Sequence, residues 1–102
     1  MIARSWSGRT PADLADDYIE YLRQTGVTDL QATPGNKGVY VMRRFIGDEA
    51  EFTLISLWES MDVIRGFAGD DVDRAVYYPE DERFLNELAP KVSHYEVLVF
   101  PE

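Results

Sequence analysis

The stretch Glu51-Phe-Thr-Leu-Ile-Ser-Leu-Trp58-Glu-Ser-Met-Asp-Val-Ile-Arg-Gly-Phe67-Ala-Gly69 decides how the rest of the chain is read. Its first eight residues are rich in β-branched and aromatic side chains and read as a strand ending in Trp58. Glu59 and Ser60 make a polar break. Ile64, Phe67 and Ala68 then recur at helical spacing over Ser60 to Ala68, up to Gly69. A strand thus delivers a large aromatic to the mouth of a helix, and this junction is expected to edge a pocket.

Upstream, Gly38 to Ile46 reads as a second strand, with Val39, Val41, Arg43 and Phe45 on one face and Tyr40, Met42, Arg44 and Ile46 on the other. Gly47-Asp48 closes a hairpin between the two. Between Val27 and Lys37 no period is convincing, and Thr33-Pro34-Gly35-Asn36 is turn chemistry, so this segment reads as a connection. Before it, Leu14, Tyr18, Tyr21 and Leu22 fall on one face of an amphipathic helix. That helix is expected to start at Thr10-Pro11-Ala12-Asp13, with Thr10 as cap, and to stop at a left-handed Gly26. Ile2 to Ser7 is the first strand, ending at Gly8; Arg4 is the exception on its apolar face.

Downstream, Gly69 to Pro79 reads as a short second helix, and Asp81 to Leu88 as a further turn or two. Lys91 to Phe100 is the last strand, ended by Pro101. The order strand, helix, strand, strand, helix, strand is the ferredoxin-like βαββαβ arrangement, an α+β fold with helices on one face of an antiparallel sheet, in one domain over residues 1–102.

Composition narrows the function. The 19 acidic residues against 10 basic give a formal charge of −9, which repels phosphate backbones and anionic lipid and argues against nucleic acid and membrane as partners. The absence of cysteine removes disulfides, thiol nucleophiles, thiolate metal sites and iron–sulfur clusters. One histidine and no Gly-x-Ser-x-Gly leave hydrolytic triads without support. No stretch approaches the ~20 apolar residues of a membrane span, and a cytoplasmic location is the expectation. The acids Asp70, Asp71, Asp73, Glu80, Asp81 and Glu82 lack the order of a calcium loop and read as solvated surface. No metal site is expected.

With helices on one face only, Tyr40, Met42, Phe52, Leu54, Leu57 and Trp58 are more apolar surface than one layer buries. At ~25 cal/mol per Å², the remainder favours a homodimer packed sheet on sheet, with room for a small apolar or aromatic molecule.

The element order, Trp58 before Glu59-Ser60, the segment Phe67-Ala-Gly-Asp-Asp…Ala75-Val-Tyr-Tyr-Pro-Glu-Asp81 and the closing His94-Tyr95-Glu96-Val97 resemble the antibiotic-biosynthesis monooxygenase-like superfamily of dimeric α+β barrels. The resemblance covers nearly the whole chain. It implies oxidation of electron-rich phenols or quinols by O2 without metal or flavin, hence no cofactor. It also implies that Trp58 corresponds to the tryptophan of haem-degrading members. Their first-strand asparagine is replaced here by Ser5-Trp6-Ser7, and their helical histidine by Tyr77 and Tyr78.

His94, the one side chain whose ordinary pKa lies near neutrality, is the expected general base, with Trp58 beside it as the second catalytic residue. Tyr77, Tyr78, Trp6, Arg43 and Phe67 are the expected substrate-binding residues. The alternative is a non-catalytic small-molecule-binding or stress-related dimer using the same cavity.

Overall fold

Four antiparallel strands lie in the order β2-β3-β1-β4, with the helices on one side. In this computed structural model, which describes residues 1–101, the strands are β1 (Ile2–Pro11), β2 (Asn36–Ile46), β3 (Glu49–Trp58) and β4 (Ser93–Glu96). The helices are α1 (Ala15–Gln24), α2 (Gly26–Ala32), α3 (Arg65–Ala68) and α4 (Asp81–Phe84). This is the ferredoxin-like α+β arrangement, with the second crossover helix reduced to two single turns.

β1 runs past Gly8 because its pairing with β3 continues through Gly8↔Phe52 and Thr10↔Ala50 to Pro11↔Glu49. Gly8 serves this strand by its lack of a side chain: a Cβ there would lie 2.7 Å from the Trp6 ring, which folds over it. Thr10, expected as a helix cap, is instead fully buried in the ladder, and its hydroxyl donates to the Pro11 carbonyl at 3.0 Å. The helix begins with a 3-10 turn at Ala12–Leu14 and has no side-chain cap.

Gly26 is not a left-handed stop. α1 breaks at Thr25, whose N–H and hydroxyl both donate to the Tyr21 carbonyl at 3.1 and 2.7 Å, and Gly26 opens α2. The expected connection is therefore largely helical. Its apolar positions, Val27 and Leu30, are only two, too few to mark a period but enough to seat one edge of two turns on the sheet.

The expected helix over Gly69 to Pro79 is absent. Ala75 donates its N–H to the Pro90 carbonyl at 2.9 Å and Val92 to the Asp73 carbonyl at 2.8 Å. These groups are taken by a return segment and are lost to any helix. The last strand is also shorter than expected. β4 pairs from Ser5↔Ser93 to Ile2↔Glu96, and Val97 N–H reaches the Met1 carbonyl, where β1 offers no further partner. Leu98 and Val99 beyond it are 85% and 88% exposed.

Residues directly opposite in an antiparallel ladder share a face. Ile2, Arg4, Trp6, Gly8 and Thr10 therefore lie with Trp58, Ser56, Leu54, Phe52 and Ala50 under the helices. The core centres on Tyr18, which meets Phe52 edge-on at 4.9 Å and Phe84 at 5.3 Å. Phe52, Leu54 and Trp58 belong to this buried face and need no second layer, and Leu57 is buried too. On the open face the exposed apolar residues are Tyr40, Met42 and Tyr95. Its opposite end carries the ion pairs of Arg9 and Arg44 with Glu49 and Glu51. No helix among the described residues is long and apolar enough to cross a membrane.

Candidate functional site

Large and small residues alternate along the covered face, and the alternation leaves a gap. Arg4 and Trp6 of β1 stand opposite Ser56 and Leu54 of β3. Tyr18 and Leu22 of α1, Leu30 of α2, Phe67 of α3 and the extended segment Val76-Tyr77-Tyr78 close over them. The enclosed cavity measures ≈ 40 Å³, a space on the scale of a few water molecules at most. Phe67, Val76 and Tyr78 are also walls of an outer groove of ≈ 400 Å³, floored by Ala32, Thr33, Pro34 and Gly66, with the Asp29 carboxylate that holds the Tyr78 hydroxyl also in its lining.

Its polar groups divide into committed and uncommitted ones. The Trp6 indole N–H donates to the Tyr77 hydroxyl at 3.1 Å, and that hydroxyl donates to the Ala89 carbonyl at 2.5 Å. Tyr78 donates its hydroxyl to Asp29 at 2.6 Å. Burial raises the pKa of both tyrosines, so each is a neutral donor at physiological pH. Asp81, read from sequence as solvated surface, is 3% exposed and lines the cavity. Burial raises its pKa, against the Tyr78 N–H that it accepts at 2.6 Å. Arg4 is 5% exposed. Its Nη2 donates to the Arg74 carbonyl at 2.8 Å, its guanidinium lies 5.3 Å from the centre of the Phe67 ring, and its Nε has no partner. Burial lowers the Arg4 pKa, with Asp73 opposing.

Of the substrate-binding residues expected from sequence, Trp6, Phe67, Tyr77 and Tyr78 meet at this cavity. Arg43 does not. It pairs with Asp16 at 2.8 Å over the Phe45 ring, at the far end of β2, because alternation along β2 puts it on the helix side but beyond the roof.

Neither expected catalytic residue lies in the lining. Trp58 is fully buried behind it, and its indole N–H donates to the Ser56 hydroxyl at 2.8 Å. His94 stands on β4 opposite Arg4, with Nδ1 3.2 Å from Asp73 and Nε2 buried without a partner. Its pKa is lowered by burial and by the Arg4 charge, against the pull of Asp73, so it is neutral at physiological pH. Among the described residues no group of three or more His, Asp or Glu side chains is arranged to hold a metal ion.

The residues missed from sequence are Ser56 and Asp81; Arg4 had a claim as a cavity cation from the first strand, beside Arg43 and Arg44, but was not among the expected binding residues. Arg4 carried a signal, as the one charge on the apolar face of its strand. Asp81 carried none, because only folding separates it from the exposed acids around it.

No protein-family profile and no curated protein sequence matches the chain. Solved structures do. The haem degrader MhuD of Mycobacterium tuberculosis, with two haems in its active site, superposes with a TM-score of 0.67 at 15% identity over 100% of both chains. A Bacillus cereus protein provisionally assigned as an antibiotic biosynthesis monooxygenase gives 0.67 at 14% identity, over 100% of this chain and 95% of its own. At these identities the likeness is one of fold alone.

Proposed function

We propose that this chain is a cofactor-independent monooxygenase that oxidises a small electron-rich aromatic, a quinol or polyphenol, with O2. The observation that carries the reading is the cavity: aromatic walls from Trp6, Phe67 and Tyr77, with a buried carboxylate of raised pKa, Asp81, among them. A carboxylate so tuned is a better match to a phenolic proton than an ordinary one. In the reaction Asp81 takes the substrate proton. The resulting anion passes one electron to O2, and substrate radical and superoxide combine at a carbon that bears hydrogen to give a peroxide anion. Asp81 returns its proton to that anion, and the hydroperoxide so formed loses water, with the hydrogen of that carbon, to leave a carbonyl. Phe67 and Tyr78 hold the ring where the cavity meets the outer groove of ≈ 400 Å³, and Trp6 and Tyr77 close the inner end against water. Trp58 acts from behind as a positioning residue, through Ser56, and His94 positions the Arg4 side of the cavity.

Oxygen uptake with a panel of hydroquinones and anthrone-like phenols tests this. Turnover that drops at least tenfold in Asp81→Asn is expected; no uptake with any member of the panel refutes it.

The chain works as a homodimer in this proposal, joined through the open sheet face. Exposure of Tyr40, Met42 and Tyr95 on one side of the sheet supports that. Sedimentation velocity at micromolar concentration checks it, and a folded, soluble monomer refutes it.

A second reading, ligand binding without chemistry, is favoured by the engagement of both tyrosine hydroxyls in internal hydrogen bonds. Native mass spectrometry of freshly purified protein distinguishes it by a retained, unchanged ligand. Haem degradation, the activity of MhuD, fits the residues poorly: the cavity lining contains no imidazole, and the tyrosine oxygens that would have to replace one are already committed. Addition of haemin is expected to give no Soret band of a bound complex.

A further inference from the structure

Among the described residues seven of the ten basic side chains reach a carboxylate; Arg4, Arg74 and Lys91 do not, and of these three only Arg4 is buried. Arg9, Arg23, Arg43, Arg44, Arg65 and Arg83 each reach a carboxylate, and all of these pairs are at the surface. Arg4 is the buried arginine, and no carboxylate lies within ion-pair distance of it among the described residues. Asp73, the nearest acid to act on it, is bonded to His94 and is 59% exposed at its side chain. Asp81 lines the same cavity but makes no ion pair with Arg4; its charge acts on Tyr18, Tyr77 and Tyr78, and its carboxylate accepts the Tyr78 N–H. A buried, uncompensated cation in a chain of net charge −9 is costly to fold and is more readily kept where a bound anion completes it.

The neighbouring groups are arranged for the same task. Ser56 faces Arg4 directly across the β1–β3 ladder and is 2% exposed. Its oxygen accepts the Trp58 N–H, which leaves the hydroxyl hydrogen free to donate. Tyr77 and Tyr78 have spent their hydroxyl hydrogens on Ala89 and Asp29. Arg4 and Ser56 are therefore the donors that remain for a ligand. The inner cavity of ≈ 40 Å³ accepts a carboxylate-sized head and no ring, whereas the outer groove of ≈ 400 Å³, which shares Phe67, Val76 and Tyr78 as its wall, accepts an aromatic body.

We propose that the inner cavity is an anion site anchored by Arg4 and Ser56, and that its ligand is an aromatic acid whose carboxylate enters there while its ring lies in the outer groove, past a rotated Phe67 or Tyr78. This deepens the proposed function by naming a substrate class, and rests on it only in taking this cavity as the binding site.

The test is a titration of the full chain with 2-naphthoate and with its neutral analogue 2-naphthamide, read by calorimetry and by tryptophan fluorescence. The acid is expected to bind at least tenfold more tightly than the amide. Arg4→Gln is expected to lose at least tenfold of the acid affinity and to leave the amide within twofold, while Arg4→Lys recovers part of the preference. Equal affinity of acid and amide, absence of binding by either, or full acid affinity in Arg4→Gln overturns the proposal. Should Arg4→Gln fail to fold by circular dichroism, the wild-type ratio and Ser56→Ala, expected to lose about threefold of the acid preference, decide it. Oxygen consumption is not read. A chain that binds the acid but oxidises no phenol therefore refutes the oxygenase and leaves this site standing, and phenol turnover without acid preference does the reverse.

Discussion

Removing a single oxygen atom, in Tyr77→Phe, tests whether the cavity wall is held as a unit. Two hydrogen bonds end on that atom: the Trp6 indole donates to it, and it donates to the Ala89 carbonyl. The ring itself, edge-on to Trp6 at 6.3 Å between centroids, stays. Each neutral bond is worth about 0.5–1.5 kcal/mol net, and a partner left unsatisfied costs about 1–3 kcal/mol when buried. Trp6, Tyr77 and Ala89 are half-buried, so water reaches part of the loss, and the expected destabilisation is about 2 kcal/mol at the lower end of those ranges.

In urea, with a slope of roughly 1–3 kcal/mol per molar for a domain of this size, the unfolding midpoint falls by about 1 M. A double-mutant cycle with Trp6→Phe isolates the shared bond, and a coupling of about 0.5–1.5 kcal/mol is expected between the two positions. A midpoint shift under about 0.2 M, or additive single mutants, refutes the reasoning, since the Trp6–Tyr77–Ala89 chain then contributes nothing to stability.

Three further outcomes follow from particular groups. The pKa of Asp81 is raised in the folded chain, so the unfolded state releases its proton first as pH rises above the ordinary carboxylate value, and stability is lost through that window. Asp81→Asn keeps an acceptor for the Tyr78 N–H and is expected to raise the urea midpoint at pH 7 but not near the acid end of the titration. The pKa of His94 is lowered by burial and by Arg4, against Asp73; the unfolded chain binds that proton first as pH falls below about 6.5. Wild type is accordingly expected to lose more stability than His94→Gln between pH 7 and pH 5, in paired denaturation series. Gly35 has φ +91°, and a Cβ there would stand 2.6 Å from Val63, so Gly35→Ala is expected to cost about 2 kcal/mol or more, from left-handed strain of about 1–2 kcal/mol plus the clash, read as a lowered thermal midpoint.

The fold was legible because its largest signals are local. Period-two alternation from Gly38 to Trp58, interrupted only by Gly47-Asp48, specifies a hairpin wherever it sits, and Leu14, Tyr18 and Leu22 specify one helix face by spacing alone. The element order then leaves few topologies. Four residues of the cavity lining, Trp6, Phe67, Tyr77 and Tyr78, stood out in the sequence as large aromatics, although Trp6 lies inside β1 and not at its end. The errors came where two backbone partners competed. Thr10 carries the chemistry of a helix cap, but the β3 ladder takes its backbone first; Ala75 and Val92 bond across the turn between residues 73 and 92 and so abolish a helix.

What a sequence determines by itself is the set of interactions whose partners lie within about two helical turns, because their geometry follows from chain connectivity. Alternation, turn chemistry and the net charge of −9 were settled at that range. Which charges are buried was decided only in three dimensions. Arg4 and Asp81 are chemically no different from Arg9 and Glu82 along the chain, yet β1 and α4 carry the first pair into the lining of one cavity and leave the second pair in solvent. Desolvation depends on everything that packs around a group, whatever its place in sequence, and it is desolvation that sets Arg4 and Asp81 apart from the charges around them.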